Sequence, residues 1–465
     1  ATSQDSPCCL PLGSMTPMDQ EKKIAQYQSQ VVSSCLAFLK EAADLAKKQF
    51  DSPDLPIFTV TVRILEPSGP GRYSGKTLEF AEVDLPLILH TLEKDLEASN
   101  SWNLASKVIR GYIEANDIKP ESVFLHDVGN HYLWPLLGSY FKEQESFHYD
   151  PSRARKKITH LLKHLNASST RVFGLISLEG FSAPRAFTLN RSIHLRPISE
   201  TDIRMLGRTS YVLPPGRYRF PNPLCDDFPL VHSDWWICEI ELTNSRGTAD
   251  GYNELDSLMD LLILALRIFK EGSFSSGMVV RGARGEFGRT GVSHNKNMPR
   301  YSSGGRSYSF TTSETKAFVS FWRKFRRIME KEDHYLEIPV RRIRAAGTRV
   351  EKADALVDCV IGLEALLGTE DERTELAYRF RVRGSVLLSD KRSERKKHVE
   401  VLKELYKLRS QVVHGSQFSE RKLEENLPLA ENALRKVWRW FFTHWHDRKN
   451  NKDGVARSDQ ALGGQ

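Results

Sequence analysis

No apolar stretch of this 465-residue chain is long enough to cross a bilayer. The longest runs from Leu258 to Phe269 and is interrupted by Asp260. A spanning helix needs roughly 20 apolar residues, so this run is read as a buried helix and no membrane partner is expected. Cysteine is scarce: the six thiols form no CxxC pair and sit at no ligand-like spacing from histidine, which argues against a disulfide framework and the common zinc sites. No charged segment followed by an apolar one opens the sequence, so a reduced, cytoplasmic protein is expected. Internal repeats, long low-complexity tracts and a Gly-x-Ser-x-Gly elbow are also missing.

What is present is an ordinary globular composition, 40% hydrophobic and 27% charged, with a net charge of +8. That excess suits a polyanionic partner without requiring one. The fold class expected is α+β, a mixed α/β part followed by an all-α helical bundle. Residues 1–20 and 449–465 are read as tails, 21–312 as the mixed part (one or two subdomains) and 313–448 as the helical domain. Within the mixed part, helices are predicted near 21–50, 84–98, 101–117, 121–145, 152–165 and 253–270, and strands over 57–65, 172–178, 187–198 and 235–242. The Gly/Ser-rich basic stretch 272–306 (Arg281, Arg284, Arg289, Lys296, Arg300, Arg306) is expected to be a loop, either solvated or touching nucleic acid. From residue 312 onward all is read as helix, with Ser313 as an N-cap, Pro339 in a first turn, and helices over 351–367, 372–388, 395–414 and 421–446.

Several motifs fail on inspection. Gly71 to Thr77 resembles a phosphate loop, but Pro70 occupies the position of its first glycine, so a hairpin is predicted. His444 and His446 lie two apart on a helix and point to different sides. Cys359, in an apolar helix, is read as an inert core thiol.

One constellation stands out. Of four Arg-x4-His pairs, Arg409/His414 alone has its arginine on an apolar arc (Leu402, Leu405, Val412, Val413) and its histidine at a helix end before Gly415. Glu364 and Arg383 likewise fall on apolar stripes of the two preceding helices. Charges at core positions are costly unless paired, so one buried cluster of the three is expected; a purely structural ion network is the competing reading. Arginine offers a planar fork to phosphate oxygens, and histidine, with an ordinary pKa near 6.5, can take or give a proton around neutrality. RNA carries its own nucleophile in the 2′-OH, so such a pair needs no metal or cofactor to cut it. Arg341, Arg342, Arg344 and Arg349 lie nearby as candidate contacts to an RNA backbone.

Leu363-Glu-Ala-Leu-Leu367, Tyr378-Arg-x3-Arg383 and Leu405-Tyr406-x2-Arg409-Ser410-x2-Val413-His414-Gly415 together resemble the HEPN superfamily, and within it the ApeA-like subgroup. The resemblance covers residues 335–445. It implies a helical bundle that homodimerises through the C-terminal domain and brings two Arg-x4–6-His motifs into one composite site. It further implies a metal-independent endoribonuclease, a toxin or antiviral-defence effector, with Arg409 and His414 catalytic and Glu364, Arg383, Ser410 and Tyr406 supporting. Ser410 stands where the family often has Asn, Asp or His. The mixed part would then govern the enzyme in response to an unidentified trigger. The superfamily also contains inactive members, so an inert domain serving dimerisation or RNA and nucleotide capture is the alternative. The aromatic residues of the last helix (Trp438, Trp440, Phe441, Phe442, Trp445) exceed what one stripe can bury, which favours a partner surface or the mixed part as their cover.

Overall fold

The structure is a computed structural model. It describes residues 17–69, 72–83, 85–116, 128–144, 146–167, 169–211, 230–244, 248–272, 274–285, 290–294, 308–330, 334–347, 349, 351–368 and 376–443. The architecture is α+β: helices and sheets first, then helices only.

The described part of the chain begins with the long helix α1 (Pro17–Phe50), so its first turn includes residues assigned above to the tail; Pro17 suits a first helical position, where its missing N–H costs nothing. Helices α2 (Leu85–Glu97), α3 (Asn100–Ala115), α4 (Trp134–Gln144) and α5 (Pro151–Leu165) pack with it around a core of Phe38, Trp102, Tyr112, Trp134 and Phe141. A single π turn, Gly129–Leu133, leads into α4. Asp150 caps α5 by accepting from the N–H groups of Ser152 and Arg153, with Pro151 at the first position. Between α1 and α2 runs the hairpin of β1 (Ile57–Gly69) and β2 (Arg72–Val83). The phosphate-loop lookalike thus lies mostly in β2, where Gly75 and Lys76 pair with Leu65 and Ile64 across the ladder.

A six-stranded antiparallel sheet follows, of β3 (Thr170–Glu179), β5 (Phe187–Asn190), β6 (Ile193–Pro197), β8 (Trp236–Asn244), β9 (Ser275–Ala283) and β10 (Thr290–His294). Its order is β10-β9-β3-β8-β6-β5. Two short strands, β4 (Phe181–Ser182) and β11 (Tyr308–Ser309), pair alongside it, and β7 (Leu230–His232) joins β1. Two expectations change here. The strand predicted over 187–198 is two strands, because Asn190 accepts from the Ser192 N–H and turns the chain. The stretch 272–306 contains β9, which lies against central β3, so the glycines concealed a strand whose Val279 and Val280 are buried on opposite faces. Arg281 pairs with Asp256 at 2.7 Å, and Arg284 pairs with Glu239 at 3.0 Å. Arg289, Lys296, Arg300 and Arg306 lie outside the described residues or their described side chains.

Successive residues of β3 feed two cores. Phe173 and Leu175 face β1, β2 and helix α6 (Glu200–Tyr211), an element the sequence reading does not anticipate. Val172, Ile176 and Leu178 face helix α7 (Thr248–Phe269), the predicted apolar helix. The α7 core does not stop at the sheet. It runs on through α8 (Thr312–Met329), α9 (His334–Ala346), α10 (Lys352–Leu367), α11 (Leu376–Leu388), α12 (Arg392–Val413) and α13 (Glu420–Thr443). Each fully buried leucine or phenylalanine in it is worth about 1.5–3 kcal/mol.

Local details of these helices differ from expectation. Thr311, not Ser313, caps α8, in a reciprocal capping box with Glu314. Pro339 lies inside α9 rather than in its first turn. Much of the described aromatic surplus of α13 is absorbed within the chain: Phe442 meets Phe325 edge-on at 4.8 Å, Trp438, Phe441 and Phe442 are buried, and Trp440 is partly buried. For the three buried residues the cover is the chain itself rather than a partner. Trp445 and the His444/His446 pair lie outside the described residues. Among the described residues no helix is long and apolar enough to cross a membrane.

Candidate functional site

The site is built around the C-terminal half of α10. Glu364 projects from that helix, and its carboxylate accepts from Arg409 Nη2 of α12 at 3.4 Å. The pair is half-buried, with the arginine side chain 26% and the glutamate 27% exposed. Burial pushes the Glu364 carboxyl up, and the neighbouring guanidinium only partly offsets this. The Tyr406 ring, one turn before Arg409, lies 6.0 Å from the guanidinium carbon and backs it with a π face. Tyr406 in turn packs on Phe380 of α11 at 5.6 Å.

Arg383 of α11 is the buried member of the predicted trio, 4% exposed. Its Nη1 donates to the Leu367 carbonyl at 3.1 Å, so it satisfies an orphan acceptor at the end of α10. The three charges therefore gather around one turn of α10, but not as a single buried ion cluster. The reason lies in the arc of α12: Leu402, Leu405 and Leu408 are its buried residues, while Val413 is 53% exposed. The core-facing stripe is rotated from the predicted one, which moves Arg409 from its centre to its edge.

His414 stands where the sequence places it. It terminates α12, and the chain then reverses through Gly415 at φ +66, a conformation that side-chain-bearing residues rarely adopt. The Gly415 N–H donates to the Val412 carbonyl at 3.2 Å and the Ser416 N–H to that of Gln411 at 2.9 Å, a Schellman ending. His414 is exposed, whereas Ser410, one turn earlier, is partly covered. His414 is the fifth residue after Arg409, about 7.5 Å further along the axis.

The candidate RNA contacts divide. Arg341 and Arg344 are exposed on α9. Arg342 and Arg349 instead clamp Asp358 of α10, at 2.6 and 2.8 Å. Asp358 is 2% exposed and was missed; its signal was a lone carboxylate in the run Val357-Asp-Cys-Val360, with two arginines a short distance upstream. Cys359 is fully buried and its thiol is pushed well up, so it is a core residue. Among the described residues no cluster of histidine, cysteine and carboxylate side chains could hold a metal ion. The chain matches no family model, no curated protein and no solved structure.

Proposed function

We propose that this protein is an endoribonuclease of the HEPN type, with Arg409 and His414 as its catalytic residues and a second copy completing the site. The observation that carries this reading is an exposed histidine at the end of α12, with a guanidinium earlier on the same helix oriented by Glu364 and Tyr406. In this mechanism a histidine accepts the proton of the RNA 2′-OH as that oxygen attacks the adjacent phosphorus. A second histidine, from the other copy, protonates the departing 5′-oxygen. Arg409 spreads its fork over the phosphoryl oxygens as negative charge builds. Glu364 is a positioning residue that holds Arg409, while Arg341 and Arg344 contact the RNA backbone.

Purified protein incubated with mixed RNA in EDTA should leave 2′,3′-cyclic phosphate and 5′-OH ends and spare DNA. His414→Ala should abolish cutting. Normal cutting by that variant overturns the assignment of the site, and loss of cutting in EDTA points to different chemistry. Absence of cutting by the parent protein leaves the inert, ligand-binding domain. Light scattering should find a dimer under cutting conditions; a strict monomer would rule out the composite site.

A further inference from the structure

A cavity of about 110 Å³ lies where the end of α7 meets the end of α9, the first half of α10 and the middle of α13. Its lining includes Arg267 of α7, Arg349, Lys352 at the start of α10, and Glu431 and Arg435 of α13. Four cations face one carboxylate, but their situations differ. Arg349 is held by Asp358 at 2.8 Å, and Lys352 by Glu424 at 2.6 Å. Arg435 spends its Nε on the Arg267 carbonyl at 2.9 Å, which satisfies an orphan acceptor near the end of α7. Beyond that bond, neither Arg267 nor Arg435 has an ion pair among the described residues. Arg267 is pressed against α9, since a Cβ added to Gly347 would collide with its Nη1.

A desolvated guanidinium without a counter-charge is expensive, and burial pulls that of Arg267 down to about 10. The same environment pushes the Glu431 carboxyl up, so Glu431 is a weak counter-ion. A further feature points the same way. The first turn of α10, whose Lys352 and Ala355 line the cavity, has no side-chain cap: Glu351 at the N-cap accepts no N–H. An uncapped helix start presents free N–H groups and the positive end of the helix dipole.

We propose that this cavity is a binding site for a phosphoryl group, held between Arg267 and Arg435 at the start of α10. Its size admits one or two phosphates and excludes the whole of a drug-sized ligand, for which sites of about 300–1,000 Å³ are usual. The two arginines supply the planar forks that match phosphate oxygens. The site is separate from Arg409 and His414 and does not depend on the nuclease reading. It joins α7 of the sheet-bearing part to α13 of the C-terminal helices, so a bound phosphate would touch both.

The test is a thermal-melt titration of the full chain with inorganic phosphate, pyrophosphate and ATP, at constant ionic strength. A saturable rise in Tm is expected. Saturation at lower concentration by phosphate than by ATP assigns free phosphate; the reverse assigns the phosphate tail of a nucleotide. Arg267→Met removes an unpaired charge, so it should melt no lower than the parent without ligand, while its phosphate affinity falls roughly tenfold or more. Glu431→Gln, nearly isosteric, should bind phosphate severalfold more tightly. No saturable rise with any of the three anions, a rise reproduced by chloride, or unchanged affinity in Arg267→Met overturns the proposal.

Discussion

Two of the carboxylates on helix α10, Asp358 and Glu364, meet arginine in different ways. Asp358 is 2% exposed and held at 2.6 and 2.8 Å by two guanidiniums from the preceding segment. Glu364 is 27% exposed and holds one guanidinium, from a helix 45 positions onward, at 3.4 Å. The first arrangement leaves its carboxylate nothing further to bind. The second leaves the carboxylate itself partly open; the arginines of both reach solvent, Arg342 and Arg349 at 29% and 45% exposed and Arg409 at 26%. The difference therefore lies in how far each carboxylate is shut off from water, which sets what losing its partner costs.

The contrast is broken or sharpened most strongly at Asp358. Replacing both Arg342 and Arg349 by Met would strand a buried carboxylate and should cost about 3–5 kcal/mol in urea denaturation. A loss below about 1 kcal/mol would make the two carboxylates equivalent. Arg409→Ala comes next: with Glu364 able to reach water, the cost should be only about 1 kcal/mol, while RNA cutting is lost. A cost matching that at Asp358 would mean that Glu364 is as closed as its neighbour.

A smaller effect is expected from Glu364→Gln. The folded state holds the Glu364 proton more tightly than the unfolded chain, so ionising it opposes folding. Stability contributed by the protonated form is complete at low pH and lost as pH rises through the raised folded value. Glu364→Gln should therefore gain on the parent between about pH 4 and 7, by under about 1 kcal/mol. A gap that reverses with rising pH would show the Arg409 pairing outweighing burial. The smallest change belongs to His414→Ala, which should leave stability within about 0.5 kcal/mol because the side chain is exposed.

How much of this was legible depended on whether the signal was periodic. The C-terminal helices announce themselves in stripes such as Leu423, Leu427, Ala430, Leu434, Val437 and Phe441, all buried. The end of α12 at His414 followed from one glycine. Strand β9 did not show, because Ser, Gly and Arg read as loop until β3 supplies a neighbour. The rotation of α12 was equally hidden: Leu408 and Val413 compete for the same stripe, and only packing against α10 and α11 decides between them. The Arg267 cavity depends on residues far apart in sequence, and the Asp358 clamp on arginines 16 and 9 positions upstream whose pairing only the turn between α9 and α10 sets up. Each had a faint trace, a charge inside an apolar run, which says that a partner is needed without saying where it is.

The shared core around α7 bears on inheritance. Phe269 of α7 packs edge-on against Phe318 of α8 at 5.1 Å, and Arg439 of α13 sits 5.6 Å over the Phe269 ring. A recombination event that borrowed only the segment from α8 onward would leave that aromatic face bare and sticky. The smallest piece that could be transplanted between genes with its interior intact therefore begins upstream of α7. Chimaeras that move sheet and helices as one block should keep this interior closed, and junctions placed between α7 and α8 should yield insoluble chains.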